Sequence, residues 1–100
     1  MLIVTGYIRL APSDVAAFTN DMAAFARAAQ ARDGCLFFAV APEAGEPGRI
    51  LVTERWHDQA ALTAHLTAKD TMAFVSRWRH RMTGEVAKYD AFNQRALDAD

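Results

Sequence analysis

Residues 34–66 read "GCLFFAVAPEAGEPGRILVTERWHDQAALTAHL", and this stretch decides the fold. The run 35–41 is short and apolar, with a glycine before it and a proline after it, which favours a buried strand over a helix. A polar connection with two prolines and two glycines, 42–48, joins it to a second strand-like run, 49–57. The pattern therefore predicts a β-hairpin.

The chain before this hairpin contains one strand and one helix. Residues 2–10, "LIVTGYIRL", are rich in β-branched and aromatic side chains and predict a strand. Ser13 is positioned to cap a helix over about 14–32, in which apolar side chains recur at three- and four-residue spacing. Gly34 suits the left-handed conformation that ends many helices.

The chain after the hairpin continues in the same way. Asp58 is a good N-cap for a helix through "QAALTAHL", and a third helical stretch over about 70–82 follows an interruption. Residues 83–92 form the last strand candidate, and 93–100 are a polar tail. The order β-α-β-β-α-β, with its second helix broken, predicts an α+β, ferredoxin-like fold of one domain, 1–100, whose core spans about 2–92.

Composition limits the possible functions. With 100 residues and a formal charge of −1, the chain has neither the length of two domains nor the basic excess of a general nucleic-acid surface. Its single cysteine excludes an internal disulfide and any multi-cysteine metal cluster. No apolar run approaches the ~20 residues of a membrane span, and the first residues form a strand rather than a signal peptide. We therefore expect a cytoplasmic protein without membrane, nucleic-acid or metal partners.

An unusual carboxylate lies on the strand 49–57. Alternation places Val52, Glu54 and Trp56 on one face, which should be the face that the helices cover. A buried carboxylate needs a partner or a raised pKa. Two interpretations remain open for Glu54: an ion pair with an arginine of the third helix, "SRWRHRM", or a place in the wall of a cavity.

The aromatic and histidine side chains have similar alternatives. Trp56 is either a core residue or a ring on which a flat aromatic ligand stacks. His65 borders the apolar side of its helix, so it is either a half-exposed surface residue or a general base, because histidine titrates near neutral pH. His80 lies between two arginines that disfavour its protonation, and His57 faces the opposite side of the strand.

That opposite side of the sheet has a mixed composition. It carries Thr5, Tyr7, Arg9, Thr53, Arg55 and His57. Such a surface is too polar for a core and too aromatic for a purely solvated face. A homodimer joined through it would cover the sheet.

These features together make the chain resemble the antibiotic biosynthesis monooxygenase (ABM) family, which includes quinol monooxygenases. The glycine before the second strand, the hairpin, the Glu-x-Trp of 54–56 and the helix histidine occur in family order. The resemblance implies a dimeric α+β barrel in which two subunits join sheet to sheet. It places a ligand pocket in each subunit, between the sheet and the helices.

The resemblance also implies an activity: oxidation of a quinol, anthrone or related aromatic by O₂ without a cofactor. His65 would act as base, Trp56 and Glu54 would face the pocket, and Phe38 and Phe74 would help to hold the substrate. Heme-degrading relatives use an asparagine on the first strand where this chain has Gly6, which would widen the pocket for an aromatic substrate. Heme binding or degradation, and ligand binding without catalysis, are the alternatives.

Overall fold

The computed structural model describes all 100 residues and confirms the predicted element order. The helices and strands are β1 (Leu2–Leu10), α1 (Val15–Gln30), β2 (Cys35–Pro42), β3 (Arg49–Trp56), α2 (Gln59–Thr67), α3 (Lys69–Trp78) and β4 (Met82–Asp90). The strands form one antiparallel sheet in the order β2-β3-β1-β4, and the helices cover one face of it. This is the α+β, ferredoxin-like arrangement.

Two element boundaries differ from the sequence prediction. Ser13 is not a cap, because it lies inside a short 3-10 turn, Pro12–Asp14, that leads into α1 without a side-chain cap. The third helix ends at Trp78 rather than near residue 82, and a second 3-10 turn, Arg79–Arg81, delivers the chain to β4. Asp58 does cap α2, since its Oδ1 accepts a hydrogen bond of 2.9 Å from the amide of Ala61.

The core lies between the inner face of the sheet and the helices. Alternation along β1 and β3 sends Val4 and Val52 inward, and α1 contributes Phe18, which is 1% exposed. The twelve clustered core residues are Leu2, Val4, Leu10, Phe18, Met22, Ala29, Phe38, Ile50, Trp56, Leu62, Phe74 and Trp78. The outer face of the sheet carries no helix, and no helix is long and apolar enough to span a bilayer.

Two glycines are required by close approaches of the backbone. Gly6 has φ +152°, and a Cβ there would collide with the carbonyl oxygen of Glu85 on β4. Gly34 has φ +78°, as predicted for a left-handed residue after the first helix, and a Cβ there would lie 2.5 Å from that of Ala61. Both positions allow neighbouring elements to pack closely.

Candidate active site

A cavity of about 250 Å³ lies between the sheet and the helices. Twelve of its fifteen lining residues are hydrophobic. They include the core side chains Phe18, Met22, Phe38 and Phe74. The polar exceptions are Glu54, His65 and Thr71. Apolar walls with a few convergent polar groups are typical of a small-molecule site.

The cavity opens between the helices and strand β4. Leu66, Val75 and Val86 line it and are 53%, 40% and 44% exposed, so they mark the mouth. Phe38 and Phe74 line it and are buried, so they form its closed end. A flat guest entering past strand β4 would therefore meet aromatic rings at depth.

Glu54 lines this cavity and does not form the expected ion pair. Its Oε1 accepts a hydrogen bond of 2.9 Å from the indole Nε1 of Trp56, two residues further along the same face of β3. No arginine of the stretch "SRWRHRM" pairs with it: Arg77 binds Asp21 at 2.9 Å and Arg81 lies 3.6 Å from Asp14. Burial raises the pKa of Glu54 and the indole hydrogen bond opposes that rise. Glu54 is thus a carboxylate without a cationic partner in a mostly apolar cavity.

Trp56 lies behind the cavity and not in its wall. Its side chain is 0% exposed, and its ring stacks on the imidazole of His65 with centroids 4.6 Å apart and planes inclined by 29°. His65 lines the cavity and Trp56 does not. The indole therefore supports two polar side chains that line the cavity, Glu54 through a hydrogen bond and His65 through stacking.

His65 is held in one protonation state. The guanidinium Nε of Arg32 donates a hydrogen bond of 2.9 Å to Nδ1 of the imidazole. A guanidinium cannot be deprotonated in proteins, so Nδ1 must be the acceptor and the imidazole proton must be on Nε2. Burial, followed by the positive charge of Arg32, lowers the pKa of His65 to about 4. At neutral pH, His65 is an uncharged hydrogen-bond donor.

Arg32 was not singled out from the sequence, although it organises this end of the site. It follows α1, and its Nη2 also binds Asp70 at 2.7 Å and the hydroxyl of Thr71 at 3.3 Å. These contacts span 33 to 39 positions in the chain. No local pattern indicates such a pairing. The one signal in the sequence is the position of Arg32, just after the helix α1, which packs on α3.

The other predicted site residues do not all line the cavity. Phe38 and Phe74 line the cavity, whereas Gly6 does not and instead lies against β4. His57 and His80 are exposed. Cys35 is half-buried against the core, and burial raises the pKa of its thiol.

The antibiotic biosynthesis monooxygenase family model matches residues 1–77. The chain belongs to this family. No curated protein matches the sequence. Membership supports a monooxygenase-like function in general terms.

Solved structures share the fold at low sequence identity. A candidate antibiotic biosynthesis monooxygenase from Deinococcus radiodurans is 24% identical, with a TM-score of 0.89 over 99% of this chain and 100% of its own. Another from Nitrosomonas europaea is 15% identical, with a TM-score of 0.85 over 93% of this chain and 100% of its own. A third from Caulobacter crescentus is 20% identical, with a TM-score of 0.84 over 92% and 90%. At such identities, the likeness establishes the fold.

The residues present do not fit a heme group. An axial histidine offers its Nε2 lone pair to iron and usually donates from Nδ1, whereas Nδ1 of His65 accepts from Arg32 and Nε2 carries the proton. A cavity of about 250 Å³ is also small for a macrocycle of four pyrroles. The site suits a flat aromatic guest smaller than a heme, with a carboxylate to accept a proton and an imidazole to donate a hydrogen bond.

Proposed function

We propose that the protein is a cofactor-independent monooxygenase that oxidises a small quinol, anthrone or related flat aromatic with O₂. The observation that carries this proposal is the pairing of Glu54, a carboxylate without a cation, with His65, a neutral donor, in one apolar cavity. Family membership adds the monooxygenase-like class. The size and apolar lining of the cavity support a flat hydrocarbon skeleton.

Glu54 replaces His65 as the proposed base. A base with a pKa of about 4 and an occupied Nδ1 has little tendency to take a proton from a phenol. Burial raises the pKa of Glu54, which brings it closer to neutral pH and makes it the stronger base of the two. One carboxylate oxygen receives the indole hydrogen bond, and the other is available to the substrate hydroxyl.

His65 stabilises the anion that Glu54 produces. When the substrate loses its proton, negative charge spreads over its oxygen and the ring carbon that will react. A preorganised N–H donor in an apolar cavity lowers the energy of that charge without any reorganisation. Phe38 and Phe74 hold the ring and exclude water from the anion.

The oxygenation step balances without a metal or flavin. The substrate anion passes one electron to O₂, and the resulting radical pair combines to form a carbon–oxygen bond at the ring. The peroxide anion takes the proton back from Glu54, and the hydroperoxide that results loses water, which takes one oxygen atom and the two hydrogens of the substrate. The other oxygen atom stays in the product as a carbonyl or hydroxyl group.

The test is O₂ uptake with menadiol or an anthrone, in the absence of added metal or flavin and after subtraction of autoxidation. We expect uptake above background by the purified protein, and Glu54→Gln should lower the catalysed rate by roughly 10²–10⁴-fold, as for loss of a general base. Asp21→Asn is the matched control, because Asp21 also accepts from a tryptophan but does not line the cavity. Full activity in Glu54→Gln would refute the base, and binding of the aromatics without uptake would refute the enzyme.

The proposal includes a homodimer formed through the outer face of the sheet. Phe37, Leu51 and Tyr89 are 40%, 40% and 57% exposed there, and the guanidinium groups of Arg9 and Arg49 lie 5.1 and 4.4 Å from the centre of the Tyr7 ring. Burying these groups in a second copy would remove apolar surface from water. Sedimentation equilibrium should give twice the chain mass of 11.0 kDa, and Leu51→Arg should shift the protein towards monomer.

A further inference from the structure

We propose that Arg32 is a positioning residue that keeps the proton of His65 on Nε2, so that the cavity presents one acceptor, Glu54, and one donor, His65. The inference about the proton rests on geometry alone. Its catalytic consequence rests on the proposed function.

The direction of the hydrogen bond between Arg32 and His65 fixes the position of the imidazole proton. Arg32 Nε lies 2.9 Å from His65 Nδ1, and a guanidinium nitrogen can only donate. Nδ1 makes no other hydrogen bond, and Nε2 makes none within the chain, which leaves its N–H for the cavity that the ring lines. A proton on Nδ1 would point two donors at each other.

Arg32 is itself held in place by hydrogen bonds to other segments. The Nη2 of Arg32 donates two hydrogen bonds of 2.7 Å to Asp70 and a weaker one of 3.3 Å to the hydroxyl of Thr71. These partners lie at the start of α3, whereas His65 belongs to α2 and Arg32 follows α1. The guanidinium therefore joins three segments at the point where the imidazole is held.

Three charged side chains lie near His65. Arg32 and Asp70 lie on the side of Nδ1, Glu54 lies in the wall of the same cavity, and the rings of Trp56 and Phe25 pack against the imidazole. Glu54 alone would favour protonation of His65, which would give a Glu54–His65 ion pair with no free base. Arg32 prevents this pairing by placing a fixed positive charge against the imidazole.

The neutral state of His65 has a chemical consequence. With His65 neutral, Glu54 keeps its lone pairs for the substrate, and the Nε2–H donates to the anion that forms. Without Arg32, the imidazole would exchange its proton between the two nitrogens or take a second one from the substrate or from solvent. Proton acceptance and anion stabilisation would then no longer be divided between the two side chains.

The test is the protonation state of His65, read from the nitrogen shifts of its ring by two-bond ¹H–¹⁵N correlation NMR. The wild-type protein should show a neutral ring with its proton on Nε2 at neutral pH. The ring should not titrate near its ordinary pKa of 6.5. A wild-type ring that carries its proton on Nδ1, or is charged at neutral pH, would overturn the inference even if no variant folds.

Arg32→Met removes the donor and keeps the length of the side chain. The ring should then show both neutral forms in exchange, and its pKa should rise from about 4 towards 6.5. Arg77→Met is the matched control, since Arg77 pairs with Asp21 at 2.9 Å across α1 and α3 but does not touch His65. Unchanged His65 signals in Arg32→Met, or equal changes in both variants, would refute the role of Arg32.

Activity gives a separate reading. If the oxygenase proposal holds, Arg32→Met should lower kcat/KM by up to about 10²-fold, the loss expected for one preorganised donor, and should add a titration near the new pKa of His65 to the pH profile. If the wild-type protein consumes no O₂ but His65 behaves as described, the proposed function fails and the inference about Arg32 stands.

Discussion

The protein contains two tryptophan–carboxylate pairs that look alike in isolation. Trp56 Nε1 donates to Glu54 at 2.9 Å, and Trp78 Nε1 donates to Asp21 at 2.7 Å. The two indoles are 0% and 3% exposed. Each pair is thus a buried ring that supplies one hydrogen bond to an acid.

The pairs differ in whether a guanidinium joins them. Arg77 binds both oxygens of Asp21, at 2.9 and 3.0 Å, and together with Trp78 it lowers the pKa of that carboxyl group. Glu54 receives only the indole hydrogen bond, and burial raises its pKa. The same indole donor therefore supports a structural anchor in one place and a proton acceptor in the other.

A third arginine, Arg32, lies against the imidazole rather than against Glu54. Arg32 contacts His65 and Asp70. Its placement leaves the cavity carboxylate unneutralised while keeping the imidazole uncharged. The carboxylate and its tryptophan are alike in both regions, so it is the position of a cation that distinguishes the candidate site from the packing contact.

The largest expected effect is the response of the two regions to acid. The folded-state pKa of His65, about 4, is below its ordinary value of 6.5, so the unfolded chain takes up this proton first. Stability from neutral His65 is present above pH 6.5 and lost as the pH falls to about 4, by roughly 3 kcal/mol. The Asp21 pair should hold through this window, since it loses stability only below its ordinary pKa of 3.8.

Urea unfolding of wild type and His65→Phe across that window measures this loss. Glu54 titrates in both proteins, so its contribution, which has the opposite sign, cancels when the unfolding free energy of His65→Phe is subtracted from that of wild type. The remaining difference reports on His65. The difference should fall steadily as the pH is lowered. A constant difference would mean that His65 is protonated equally easily in the folded and unfolded chains, and the contrast between the two regions would disappear.

The next effect separates the two indoles. Trp56→Phe leaves Glu54 without a donor, which should cost about 1–3 kcal/mol in addition to the lost ring volume. Trp78→Phe also removes an indole hydrogen bond, but Asp21 keeps both of its Arg77 contacts, so the cost beyond the lost volume should be smaller. Chemical denaturation at neutral pH measures both variants.

A double-mutant cycle removes the effect of ring volume. In a Glu54→Leu background, where no carboxylate needs a donor, Trp56→Phe should cost less than it does in wild type. An equal cost in both backgrounds would show that the indole contributes only by packing.

Most of the fold follows from local patterns in the sequence. Alternation in 2–10 and 49–57 predicted which side chains face the helices, and the glycines and prolines of 42–48 predicted the hairpin. The predicted end of the third helix was wrong, because "RHRM" contains no helix breaker and the pattern gave no reason to stop at Trp78. What ends α3 is tertiary: β4 pairs along β1 as far back as Met82, opposite Leu10, and the chain must turn to reach it.

The candidate site was predictable only in part. Strand alternation brought Glu54 to the inner face, and helix periodicity brought His65 near it. Of the two interpretations of Glu54, the ion pair is not formed and the place in the cavity wall is, while the indole that donates to it was considered as a core residue or a stacking surface. The contact between Arg32 and His65 joins residues 33 positions apart, and no propensity or spacing encodes it.

The smallest expected effect concerns the two carboxylates themselves. Asp21→Asn should lose up to about 1 kcal/mol at neutral pH, because a partly exposed ion pair contributes no more than that. Glu54→Gln should instead gain stability at neutral pH. A carboxylate whose folded-state pKa is raised above 4.5 is less stable when ionised in the folded chain than in the unfolded chain, and glutamine keeps an acceptor for the indole.

Lowering the pH distinguishes these two contributions. The gain in Glu54→Gln should shrink as the pH falls towards 4.5, where the wild-type carboxyl group is protonated in the folded chain, while the loss in Asp21→Asn should persist until below 3.8. Urea unfolding at neutral pH and near pH 4.5 measures both. If Glu54→Gln lost stability at neutral pH as Asp21→Asn does, Glu54 would be a second anchor, and the cavity would lack the base that its proposed chemistry requires.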